Sequence, residues 1–196
     1  MTGYTLDRRD VLSPLFPVPE DYLFVSGLAG SARDAAALTN DGDNLFTMAG
    51  AMGAAVSMGL GVALSAPGSQ VAVITGDGEL LMNVGSLATV ASMGPGNLSI
   101  VCIDNRCHGE TGGQRGHTSQ KTDLAKMAVG AGINSTTTIT NADQLADGAR
   151  FLREAPGPRF LLVGVTESPP AKTKRNFDLA ECRLRFRSAN FGALSR

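Results

Sequence analysis

Two residues with oxygen-donor side chains stand 28 positions apart, each at the close of an apolar, β-branched run. Asp77 lies in Thr75-Gly76-Asp77-Gly78-Glu79 after Val71-Ala72-Val73-Ile74, and Asn105 follows Leu98-Ser99-Ile100-Val101-Cys102-Ile103-Asp104. Such runs, bounded by Gly, Asp and Asn, read as buried parallel strands. A helical stretch over about residues 80–92 separates them, which makes a βαβ unit with an oxygen ligand at the C-terminal end of both strands. Open α/β sheets bind their ligands at that edge. A carboxylate and an amide oxygen placed there suit Mg²⁺, which takes hard oxygen ligands and shares its shell with phosphates. Gly76 and Gly78 let the backbone turn sharply and come close to an anion, and the start of the following helix aims amides at it. Gly-Asp-Gly alone is a common turn; the strand–helix–strand frame and the distant Asn make it more than that.

This pattern resembles the diphosphate-binding domain of the thiamine-diphosphate enzymes. The resemblance implies that Asp77, the Asn105 side chain and the Cys107 carbonyl hold Mg²⁺, and that thiamine diphosphate is the cofactor. The loop over residues 26–31, with Ser26, Gly27, Gly30 and Ser31, is expected to cradle the terminal phosphate, together with Gly76, Gly78 and the residues that open the next helix, Glu79 and Leu80. Gly50 and Met52 match the segment that supports the thiazolium from below, and Gly109 borders the cofactor just past the metal asparagine. His108, His117 and Glu110 are candidates for proton transfer, because imidazole titrates near neutral pH; each is otherwise an ordinary loop residue. Arg115 is a candidate for pairing with an anionic substrate.

Within the family, 78–89 and Asp104-Asn105 through Gly112-Gly113-Gln114 are most similar to the β subunit of sulfopyruvate decarboxylase and the matching half of phosphonopyruvate decarboxylase. That implies decarboxylation of a 2-oxo acid to CO₂ and an aldehyde; a carboligase or C–C lyase acting on 2-keto acids or 2-hydroxyketones is the alternative. A non-catalytic carrier or regulator that binds thiamine diphosphate is a reading of another class. An oxidoreductase β subunit is disfavoured by the lack of an iron–sulfur cysteine set. The family also needs a glutamate to activate the cofactor's pyrimidine, carried on a separate domain. This chain has room for one such domain, so the expected partner is a pyrimidine-domain α subunit supplying that glutamate, in an α₂β₂ or larger assembly.

The elements that must position these residues alternate. Strands are expected near 22–26, 45–47, 70–76, 98–103, 135–139 and 159–166, and helices over 32–38, 52–65, 80–92, 123–129 and 141–154. Ser31 and Asn141 are the expected caps of two of the helices, and a polar loop runs over 105–122. Alternation of this kind gives an α/β fold with a doubly wound, mainly parallel sheet flanked by helices. No P-loop lysine motif occurs, and Gly59-Leu60-Gly61 lacks the third glycine of a dinucleotide fingerprint.

A chain of 196 residues suits one domain with extensions: an arm over 1–20, the domain over 21–166 and a basic extension over 167–196. From Lys172 onward seven cations face two acids, while the whole chain carries a net charge of −1. That balance gives no argument for nucleic acid. The apolar stretch 49–66 holds four glycines and two serines, which favours a buried helix over a membrane span. Three cysteines without metal or disulfide spacing fit a reducing cytoplasmic setting.

Overall fold

The structure is a computed structural model that describes residues 3–48 and 50–192. Residues 1–2 of the expected arm, Ala49 of the apolar stretch and residues 193–196 of the basic extension lie outside the described residues. In chain order the elements are α1 (Leu12–Leu15), β1 (Tyr22–Ser26), α2 (Ala29–Thr39), β2 (Leu45–Thr47), α3 (Ala55–Ser65), β3 (Gln70–Gly76), α4 (Asp77–Met82) and α5 (Ser86–Met93). There follow β4 (Leu98–Asp104), the short pair β5 (Cys107–His108) and β6 (Gln114–Arg115), α6 (Leu124–Gly130), β7 (Ser135–Ile139), α7 (Leu145–Glu154), β8 (Arg159–Gly164) and α8 (Leu179–Phe191).

Six strands form one parallel sheet in the order β2-β1-β3-β4-β8-β7. Side chains alternate faces along each strand, so the sheet carries two cores. Leu23, Val25, Val71, Val73, Ile100 and Cys102 pack with α3, α5 and α6 on one face. Tyr22, Phe24, Ala72, Ile74, Val101 and Ile103 pack with α1, α2 and α7 on the other. The fold is thus α/β, doubly wound on a parallel sheet. The glycines of α3 have a packing reason: a Cβ at Gly59 would overlap Val73 of β3.

Several boundaries differ from the expected ones. α2 starts at Ala29 with Leu28 as its cap residue, so Ser31 lies inside the first turn rather than capping it. α3 starts at Ala55, not Met52, because Gly50 (φ +91°) and Gly53 (φ +85°) put the preceding chain in the left-handed region. The expected helix over 80–92 is two helices, broken at residues 83–85; the Asn83 amide donates to the Gly53 carbonyl (3.2 Å) and so ties the break to the Met52 loop. Asn141 makes no capping bond; Gln144 instead accepts from the Thr140 amide (2.8 Å). The 105–122 loop contains the β5–β6 pair.

The described segments before β1 and after β8 pack against the sheet. Leu6, Val11, Leu12, Leu15 and Phe16 are buried, Phe16 stands edge-on to Tyr22 and Phe24, and Leu6 bridges Val165 in parallel. Arg8 and Asp34 form a buried ion pair of 2.7 Å. Beyond β8 the chain runs back over α2, where the Ala171 amide donates to Asp34 and the Asn176 amide to Asp41. α8 then covers edge strand β2 through Cys182 and Phe186, whose ring meets Phe46 at 5.8 Å. Of the large apolar side chains of α8, Phe186 is buried, whereas Leu179 and Leu184 are about half exposed.

Candidate cofactor site

The strand order reverses between β1 and β3, since β1 is followed by β2 on one side and the chain then crosses to β3 on the other. Ligands bind at such a switch point, outside the carboxyl ends of the strands. A cavity of about 620 Å³ opens there. Its walls hold Gly30, Ser31, Met52, Gly76, Asp77, Gly78, Glu79, Asn105, Cys107, His108, Gly109 and Glu110. The remaining expected residues lie elsewhere. Ser26 is fully buried behind the wall with an unpartnered hydroxyl, Gly27 packs on Glu79, and Leu80 belongs to the core. Gly50 and the exposed His117 do not line the cavity. The fully buried Ser26 hydroxyl and the exposed His117 therefore do not reach the cavity, and Leu80 can meet a ligand only through its backbone.

Asp77 opens α4 and is 4% exposed. Asp104, at the end of β4, is buried beside it. The Thr118 hydroxyl lies 3.1 Å from Asp77 Oδ2 and 2.8 Å from Asp104 Oδ1; its single proton serves one carboxylate at a time. Burial first, and the Asp104 charge second, push the Asp77 pKa up to about 7. Every ion pair among the described residues lies elsewhere. Two enclosed carboxylates that share no cationic side chain are costly to ionise, a cost that a divalent ion at Asp77 would relieve.

The turn after β4 is tight. The Asn105 side-chain oxygen accepts from the Cys107 amide (3.3 Å) and keeps a second lone pair. Arg106 takes a left-handed conformation (φ +61°), its guanidinium stacked 3.5 Å from the Tyr4 ring centroid, while Tyr4 donates to Asp104 (3.3 Å). Two further glycines lie tight against the site: a Cβ at Gly116 would come 3.2 Å from Asp77 Oδ2, and one at Gly78 3.2 Å from His108 Nδ1. His108 therefore sits over the α4 start. The His117 ring is 6.2 Å from it, edge to face. Met52 is 45% exposed at the cavity wall, which is not how a core-filling methionine sits.

Glu79 is buried, and burial raises its pKa. Its Oε2 accepts from the Leu28 amide (3.0 Å) and the Thr75 hydroxyl (3.1 Å), and Oε1 has no partner. Sequence reasoning missed Asp104, Thr118, Tyr4, Arg8, Arg33 and the segment 167–170, the last three of which also line the cavity. Asp104 adjoins Asn105 at a strand tip and was open to inference; nothing in the sequence marks the others.

Residues 29–163 match the family model "Thiamine pyrophosphate enzyme, C-terminal TPP binding domain". The chain belongs to the thiamine pyrophosphate enzymes. Thiamine pyrophosphate is the diphosphate cofactor expected above. The chain is 47% identical over 132 residues to the sulfopyruvate decarboxylase subunit beta of Methanocaldococcus jannaschii, across 67% of this chain and 69% of that protein. It is 40% identical over 151 residues to the phosphonopyruvate decarboxylase of Streptomyces viridochromogenes, across 77% of this chain but 37% of that protein. It therefore spans about two thirds of one relative and little more than a third of the other. An X-ray structure from Mycobacterium smegmatis, described as a thiamin diphosphate-dependent enzyme, superposes with a TM-score of 0.68 at 21% identity, covering 83% of this chain and 32% of that one. That likeness concerns the fold. No helix among the described residues is long and apolar enough to cross a membrane.

Proposed function

We propose that this chain is the diphosphate-binding β subunit of a heteromeric thiamine-diphosphate-dependent decarboxylase acting on a 2-oxo acid of the sulfopyruvate or phosphonopyruvate kind. The observation that carries the reading is Asp77: a buried carboxylate that pairs with no Lys, Arg or His among the described residues, at one strand tip of a family-matched domain, with Asn105 at the next. In this reading Asp77, Asn105 and the Cys107 carbonyl hold Mg²⁺ on the diphosphate. The α4 amides and Gly30 and Ser31 of α2 face the phosphates, and Met52 bears on the thiazolium. The cofactor supplies the electron sink for loss of CO₂. The chain's part is to fix the diphosphate, support the ring and shield the cavity. In this reading His108, which lines the cavity, moves a proton, with Glu110 at the rim.

Residues 21–166 serve as the diphosphate domain, flanked by 1–20 and 167–196. The activating glutamate comes from an α subunit, as the subunit naming of the relatives suggests, in an α₂β₂ or larger complex. The three free, buried cysteines suit the cytoplasm. Calorimetry with thiamine diphosphate and Mg²⁺ tests the metal assignment: Asp77→Ala should abolish Mg²⁺-dependent binding, and unchanged affinity would refute it. Co-purification of the partner, followed by a CO₂-release screen across 2-oxo acids, tests the activity.

A further inference from the structure

Asp104 is a buried carboxylate that the proposed metal ligands leave unused. It is 1% exposed at the end of β4, and no cationic side chain pairs with it among the described residues. Three donors converge on it instead. The Arg106 amide (2.9 Å) and the Thr118 hydroxyl (2.8 Å) reach Oδ1, and the Tyr4 hydroxyl reaches Oδ2 (3.3 Å). The same Thr118 hydroxyl stands 3.1 Å from Asp77 Oδ2. Backbone fixes its place: the Gly116 amide donates to the Arg106 carbonyl (2.7 Å), which seats the 116–119 turn against the ends of β3 and β4. Thr118 is half-buried there. The Arg106 guanidinium stacks on the Tyr4 ring and forms no ion pair with the carboxylate. Two strand tips, the N-terminal segment and a distant turn thus meet around one hydroxyl.

The hydroxyl has one proton for two carboxylates. A bond to Asp77 Oδ2 fixes the plane of that carboxylate while no ion is bound. An ion on Asp77 occupies lone pairs there, and the Thr118 bond then turns to Asp104. Asp104 keeps all three donors in that state and sets a second negative charge beside the metal carboxylate. Groups that orient a metal ligand in this way are typically worth about 10–100-fold in metal affinity. Resting on the metal assignment of the proposed decarboxylase reading, we propose that Thr118 is a positioning residue for Asp77, and that Asp104 is the outer carboxylate to which its hydroxyl turns when Mg²⁺ binds. Tyr4 joins the N-terminal segment to the same arrangement through Asp104 Oδ2.

The test titrates Mg²⁺ by calorimetry into the full chain in excess thiamine diphosphate. Thr118→Val, which keeps the shape and loses the hydroxyl, should weaken Mg²⁺ by roughly tenfold or more. Thr118→Ser restores the hydroxyl and should come back to within about threefold of the wild type. Asp104→Asn should also weaken the ion, by roughly tenfold, through the lost charge. The double variant should be no more than about twofold weaker than the worse single one, because both changes break one arrangement. Ser119→Ala is the control for the turn itself, since the Ser119 hydroxyl donates to the Gly116 carbonyl (2.7 Å) and bonds neither carboxylate. It should leave Mg²⁺ affinity within about twofold, as a change away from the ligands does. Circular dichroism should show an unchanged fold in every variant. Unchanged Mg²⁺ affinity in Thr118→Val or in Asp104→Asn overturns the proposal. So does a Thr118→Ser variant as weak as Thr118→Val, or an equal loss in Ser119→Ala, which would reduce Thr118 to a packing residue of the turn. A wild-type chain that binds thiamine diphosphate with no need of Mg²⁺ would instead strike the metal assignment itself, and the proposal with it.

Discussion

The carboxylate of Glu79 fills the space that a side chain at Gly27 would need. Through its bonds to Leu28 and Thr75 it ties the β1–α2 loop to the end of β3, across the switch point of the sheet. Gly27→Ala must push the carboxylate out of both bonds, leaving buried groups unpaired at a cost of about 1–3 kcal/mol. Glu79→Ala removes the obstacle, so the double variant should lose less than the sum of the two single variants. Urea denaturation of the four proteins measures this cycle, and strictly additive losses would contradict the contact.

The metal-free chain should lose stability as pH rises toward neutrality. Asp77 titrates near the ordinary carboxylate value of about 3.9 when unfolded but at about 7 when folded. Between those values the folded state keeps a proton that the unfolded chain has lost, so the stabilisation is complete below the lower value and gone above the upper one. The slope from this one group is at most ~1.4 kcal/mol per pH unit. Glu79 and Asp34, raised by burial, act in the same direction. Thermal melts from pH 5 to pH 8 should show a falling Tm, less steep in Asp77→Asn. Mg²⁺ with thiamine diphosphate should stabilise the chain more at pH 8 than at pH 5, since the cation needs the ionised carboxylate.

Met52→Ala should separate activity from stability. The side chain is nearly half exposed, so its removal should change unfolding free energy by no more than about 0.5 kcal/mol. Turnover of the assembled enzyme should drop much further. A parallel fall in Tm and kcat would reduce Met52 to a packing residue.

Arg8 joins the N-terminal segment to α2 through Asp34, and its guanidinium packs where a Cβ at Gly30 would fall. Arg8→Ala strands a buried carboxylate and should cost about 3–5 kcal/mol, whereas replacing both partners by apolar residues should cost less. Chemical denaturation with both variants decides between a true buried pair and an incidental one.

Much of this was legible in the chain. The β-branched runs before Asp77 and Asn105 set strands β3 and β4, because burial on both faces leaves little other use for such runs. Ser135–Ile139 was read to the residue, since turn residues bracket it. Less visible were features set by distant contacts. The α4–α5 break depends on Asn83 reaching Gly53, and the Thr118 bridge on a loop folding back to two strand tips. The early start of α2 escaped because Glu79, far along the chain, holds the Leu28 amide just ahead of the helix that Ser31 was expected to cap. The segment 1–20 looked like an arm because its apolar residues are spaced between prolines and charges, yet its leucines and Phe16 complete one core.

The cavity takes walls from Arg8 near one end of the chain and from Pro169 and Pro170 near the other. The cofactor pocket therefore closes only after the segment beyond β8 has packed back, later than the strands that floor it. A sheet complete through β8 but without 167–170 packed back would leave the binding site open on one side, so firm hold on the coenzyme waits for that segment.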